Sequence, residues 1–89
     1  MIYIIFSLQE ERHGYAIMQY VKELTKDRIT LGAGTIYQSL GKLENDGLII
    51  RVKEIDRKKI YALTVIGKQI LLEEVHRIEE IYHNVEGLL

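Results

Sequence analysis

Residues 34–49, GTIYQSLGKLENDGLI, carry polar groups at helical spacing that could make specific hydrogen bonds. Ile36, Leu40 and Leu43 recur at i, i+4 and i+7, the period of one apolar helix face. Thr35, Gln38 and Lys42 project roughly opposite, and Ser39 stands at the border. An α-helix fits the major groove of a DNA duplex, where base edges present donors and acceptors. Gln pairs with adenine, Lys reaches guanine or phosphate, and Ser and Thr meet either. Any solvated helix also shows polar residues opposite an apolar stripe. Pattern alone therefore leaves base reading and an ordinary surface both open.

A second chemical group lies downstream. Residues 48–63 hold Arg51, Lys53, Arg57, Lys58 and Lys59 against Glu54 and Asp56. Residues 64–89 hold Lys68 and Arg77 against Glu73, Glu74, Glu79, Glu80 and Glu86. The net charge of −1 conceals this asymmetry, and local field is what steers a polyanion. LIIRVKE and KIYALT flank the basic segment and are rich in β-branched and aromatic residues, which predicts a β-hairpin. Its tip, 56–59, would bring Arg57, Lys58 and Lys59 to a neighbouring phosphate run or the minor groove. Alternatively, Lys there guards a sheet edge against aggregation. No Asn-Gly or Asp-Gly marks the turn, so the register stays open.

Other constellations carry less. His76, Glu80 and His83 lie at i, i+4 and i+7, a spacing that can hold a metal on one helix face. A solvated face is the plainer reading, and no metal site is expected. GAGT, residues 32–35, lacks the Gly-Lys-Ser/Thr ending of a phosphate loop, and its glycines are expected to permit a tight turn. Tyr3, Tyr15, Tyr20 and Tyr82 are expected in packing rather than around an effector cavity. No Ser-His-Asp or paired-carboxylate arrangement stands out, so neither an enzyme nor a cofactor is expected.

Positioning these groups takes a particular order of elements. Ile2, Ile5 and Phe6, extended by Leu8, predict a short first helix, which QEERHG breaks. Ile17, Met18, Val21 and Leu24 predict a second helix from Tyr15, and the third spans roughly 34–46. Gly47 is placed as a helix stop, and Thr64 as the N-cap of a last helix. Along that helix Leu71, Val75, Ile78, Tyr82, Val85 and Leu89 are spaced 4, 3, 4, 3, 4, a heptad seam that predicts dimerisation, with Ile81 and Leu88 widening it. The fold class is mainly α with a small β-hairpin wing (α+β). The architecture is a winged helix-turn-helix over 1–63, with a long C-terminal dimerisation helix over 64–89. Together they make one structural domain, consistent with 89 residues. The absence of Cys excludes disulfides and thiolate sites and fits a reducing compartment. MIYIIFSL has neither the basic flank nor the cleavage site of a signal peptide, and no run is long enough for a membrane span.

Three ordered stretches resemble the PadR family of transcriptional regulators. RHGYAIM (12–18) is similar to its His-Gly-Tyr motif. GTIYQSLGKLENDGLI is similar to its Gly-Thr-Leu/Ile-Tyr recognition-helix motif running into Leu-Glu-x-x-Gly-Leu-Ile, and YALTVIGKQIL (61–71) to its Tyr-x-Leu-Thr-x-x-Gly motif. The resemblance implies a cytoplasmic, homodimeric repressor on an inverted-repeat operator in double-stranded DNA. It also implies a small aromatic or amphipathic effector. Carried onto this chain, it adds Tyr37, under the helix or on a phosphate, to a DNA-contacting set of Thr35, Gln38, Ser39, Lys42, Arg57, Lys58 and Lys59. Departures are Gln38, where the family often has Pro, Gly41, where it frequently has a base, a short wing, and a start several residues short of its relatives. The alternative is a winged-helix protein-interaction module without DNA binding, favoured by Glu44, Asp46 and the acidic tail.

Overall fold

A computed structural model describes residues 2–88. Helix α1 (Ile2–Ser7) is followed by a two-residue strand β1 (Arg12–His13), helices α2 (Gly14–Leu24) and α3 (Ala33–Asn45), strands β2 (Ile49–Ile55) and β3 (Lys58–Leu63), and helix α4 (Val65–Val85). A single 3-10 turn, Glu86–Leu88, ends the described chain. The helical content and the small antiparallel sheet match the expected class.

Four helix boundaries have a local cause. His13 caps α2, its Nδ1 accepting the Ala16 N–H at 3.1 Å. At the far end of α2, Lys26 and Asp27 take left-handed φ of 51° and 65°. Their amides return to the Glu23 and Lys22 carbonyls at 3.2 and 2.9 Å, closing the helix as glycine usually does. Buried Thr25 then holds the loop, donating to the Val21 carbonyl and accepting from the Ile29 amide. Gly47 stops α3 with φ of 76°, its amide meeting the Glu44 carbonyl and that of Leu48 the Leu43 carbonyl, each at 3.0 Å. Thr64 caps α4 by accepting the Gly67 N–H at 3.0 Å.

Ile36, Leu40 and Leu43, the predicted inner face of α3, are all 1% exposed or less. They pack with Ile4, Ile5 and Leu8 near α1, Ile17 of α2, and Ile49, Tyr61 and Leu63 of the sheet. Phe6, expected on the α1 face, is only half-buried, and Ile4 replaces it. Four residues join the exit of α3, the base of the wing and the start of α4. The Thr64 amide donates to the Leu48 carbonyl at 3.0 Å, and its hydroxyl donates to the Gly47 carbonyl at 2.6 Å. Gly67 sits so close to Leu48 that a Cβ would run into that carbonyl oxygen.

The structure corrects several expectations. The sheet has three strands in the order β1-β3-β2, because Arg12 and His13 pair with Tyr61 and Ile60. The hairpin tip is a two-residue turn, Asp56-Arg57, and Lys58 and Lys59 already belong to β3. Both turn residues have left-handed φ, 50° and 65°, the primed type I geometry that matches strand twist. A bulge between Arg51 and Lys53 shifts the register. Gly32 has an ordinary extended backbone, φ −74°, so the tight turn expected of GAGT is not what the glycines supply. Lys26 and Asp27 make the reversal instead.

Helix α4 rests on the core through Gly67, Ile70 and Leu71, then continues beyond the body, giving a molecule 49 × 29 × 19 Å. Val75, Ile78, Ile81, Tyr82 and Val85 continue that side and stand exposed. Leu71 is half-buried against the core, unlike these exposed residues. Leu89 lies outside the described residues. Among those residues no helix is long and apolar enough to cross a membrane.

Candidate nucleic-acid interface

Between α3 and the wing runs a groove of about 490 Å³. Tyr37, Gly41 and Glu44 line it from α3, sharing one face at i, i+4 and i+7. Arg51 and Tyr61 line it from the sheet, Arg57, Lys58 and Lys59 from the wing tip, and His13, Gly14 and Tyr15 from the start of α2. The groove thus gathers four of the expected contact residues: Tyr37, Arg57, Lys58 and Lys59. Thr35, Gln38 and Lys42 are exposed on the neighbouring flank of α3, and Ser39 is half-buried at its border. Those four lie beside the groove rather than in it.

Local contacts fix the groove walls. Tyr37 is 58% exposed and lies over Gly14, where an added Cβ would come within 3.2 Å of the ring. The tyrosine therefore leans toward α2 while its outer side faces the groove. Glu44 accepts from Arg51 Nε at 3.0 and 3.3 Å, tying α3 to the wing. Exposed ion pairs add little to stability, so the pair serves chiefly to orient Arg51. Burial pushes the Tyr61 phenol above its usual value, against the opposing pull of Arg51. The phenol thus stays a neutral hydroxyl in the groove. The groove carries four cations against the single carboxylate of Glu44, an electropositive concavity on a chain of net charge −1.

Sequence reasoning missed His13, Tyr15, Glu44, Arg51 and Tyr61 as groove residues. Position 44 falls seven after Tyr37, and that spacing was an available signal. Which helix face the wing covers depends on the bulge and on the strand register, neither of which the residue types declare.

The remaining candidates do not assemble. His83 faces Glu79 and Glu86 at 3.8 and 3.3 Å, and no group of three His, Asp or Glu fit for a metal forms among the described residues. Tyr15 and Tyr20 border a shallow depression with Arg12, whose guanidinium lies 4.9 Å from the Tyr20 ring centre. Tyr3 and Tyr82 line neither that depression nor the groove.

Comparison with known proteins places this architecture. Residues 2–73 match the transcriptional regulator PadR-like family. The transcriptional regulator Rv3488 of Mycobacterium tuberculosis is 32% identical over 80 residues, covering 86% of this chain and 72% of that protein. The transcriptional regulator YqjI of Escherichia coli is 32% identical over 79 residues, covering 89% of this chain. The chain spans 38% of the length of YqjI. A PadR family transcription regulator from Clostridium difficile superposes with a TM-score of 0.81 at 26% identity, over 98% of this chain and 94% of the other. Bacillus subtilis PadR, solved in complex with operator DNA, is 33% identical with a TM-score of 0.73, over 83% of this chain and 45% of that one. With α3, the winged sheet and the junction motifs in their places, the chain belongs to the PadR-like family of transcriptional regulators.

Proposed function

We propose that this chain is a sequence-specific DNA-binding regulator, a cytoplasmic repressor that binds an inverted-repeat operator as a homodimer. The observation that carries the reading is the electropositive groove between α3 and the wing, flanked by the exposed Thr35, Gln38 and Lys42. In it, α3 enters the major groove, where Gln38 and Lys42 meet base edges and Thr35 and Ser39 permit close approach. Arg57, Lys58 and Lys59 hold the backbone beside it, and Tyr37 forms the wall between. Two copies joined along the exposed face of α4 present two reading helices to major grooves about 34 Å apart. A small aromatic or amphipathic effector releases the operator by changing that separation. The reading assigns no catalytic activity and no cofactor. Binding of Bacillus subtilis PadR to operator DNA supports it by likeness.

The test is binding of purified protein to its own upstream DNA across a salt series, with a scrambled duplex beside it. The expected result is preference for the upstream duplex and a steep salt dependence. Each neutralised phosphate contributes about 0.9 to the log–log slope. Replacing Lys42 and Lys58 together by Ala is expected to weaken binding and flatten that slope. No binding to either duplex at low salt would overturn the reading in favour of a protein-interaction module.

A further inference from the structure

His13, which lines the groove, is a hydrogen-bond donor whose direction is set by the fold itself. His13 spends its Nδ1 on the first turn of α2, accepting the Ala16 N–H. A neutral imidazole with Nδ1 as acceptor carries its proton on Nε2. Nothing in the described chain takes that proton. No side-chain nitrogen or oxygen that is buried lacks a partner, so Nε2, which has none, is open to solvent. The ring is held on two sides. Its backbone pairs with Ile60 in the sheet, and the Tyr15 ring stacks on it with centres 6.4 Å apart. His13 lines the same groove as Arg57, Lys58 and Lys59.

We propose that His13 is a phosphate-contacting residue of the DNA interface, in which the helix cap fixes the tautomer and Nε2–H donates to a backbone phosphate oxygen in the groove. The inference rests on the DNA-binding reading above and adds a contact of a different kind. A lysine or arginine in the groove neutralises a phosphate and displaces a counterion, so it steepens the salt dependence. A neutral imidazole donor displaces no counterion. Its contribution is therefore the same at every ionic strength, and it is directional where the ammonium groups of Lys58 and Lys59 are not.

Two substitutions separate the cap from the contact. In His13→Asn the side-chain oxygen can accept from Ala16 as Nδ1 does, and Asn is among the favoured cap residues. Its amide is too short to reach where Nε2 stands. In His13→Gln the amide extends toward the Nε2 position, while the cap is lost. Melting temperature and binding to the upstream duplex across a salt series are measured for both, with Lys58→Ala as reference. His13→Asn is expected to melt with the wild type and bind about tenfold or more weakly at every salt concentration, with an unchanged slope. His13→Gln is expected to melt lower and to bind more tightly than His13→Asn. Lys58→Ala is expected to reduce the slope by about 0.9 for each site.

Wild-type affinity in His13→Asn with wild-type melting would overturn the contact. Equal affinity losses in both variants, each accompanied by a lower melting temperature, would reduce His13 to a cap. If the wild type itself binds no duplex, the broader reading fails. If the wild type binds and only Lys58→Ala changes the slope and the affinity, the His13 inference fails alone.

Discussion

At position 67 the start of α4 lies against the Leu48 carbonyl, and only the missing side chain permits the contact. The obstacle is backbone, so no rotamer change relieves it. Gly67→Ala is expected to cost about 3 kcal/mol, the upper end for overpacking. Urea unfolding measures this, and a loss under about 1 kcal/mol would show that the junction yields. Tyr61 is a different case. Burial raises its folded-state pKa, so its contribution to stability is complete below about pH 10. That contribution is lost as pH climbs from there through the folded-state value. Tyr61→Phe is expected to flatten the fall of the urea midpoint in alkali. An identical decline in both proteins would remove Tyr61 from the account. Some of this was legible beforehand. Thr64 and Gly47 announced themselves, since a cap hydroxyl and a left-handed stop are local needs met by residue type. The Glu44–Arg51 pair did not, because its partners meet only once the strand turns back beneath the helix.

Among the elements, the wing is the one built against its own propensities. Asp56 and Arg57 both sit at left-handed φ, a conformation that costs an ordinary side chain about 1 kcal/mol or more. Asn-Gly is the preferred occupant of such a turn. Asp56→Asn with Arg57→Gly is therefore expected to raise stability by about 1 kcal/mol, roughly 4–8 °C in melting temperature. The same double substitution removes a groove cation and is expected to weaken DNA binding. Calorimetry and a duplex titration on one preparation check both halves, and a lower melting temperature would contradict the turn assignment. This trade also explains why the turn was illegible. A charged residue stands where the backbone asks for glycine, and strain of that kind collects at functional sites. Strand β1 was hidden for another reason. Two residues cannot show an alternation, and Arg12 and His13 are extended only because β3 offers them a free edge. The helices were the readable part, since Ile36, Leu40 and Leu43 report a period that burial then obeys.

On the scale of the whole molecule, α4 carries an apolar side past the end of its own core. Val75, Ile78, Tyr82 and Val85 are between 37% and 56% exposed, a run of large apolar side chains of the kind that marks an interaction surface. Ile78→Glu is expected to convert a dimer to a monomer in sedimentation equilibrium while the circular dichroism of the body persists. A wild type that sediments as a monomer at tens of micromolar would remove the seam from the mechanism. The heptad spacing aligns these residues along one side but could not show where the core ends. Leu71 obeys the same period as Val75, yet it is held by the body.

The junction at Gly47, Leu48, Thr64 and Gly67 gives that projecting helix a mechanical meaning. Its four residues weld the exit of α3 to the root of α4 by hydrogen bonds and one side-chain-free contact. Helix α4 is then a lever about 31 Å long, and the weld is its fulcrum. A tilt imposed at the far end is expected to reach α3 through these contacts rather than to be taken up at the root.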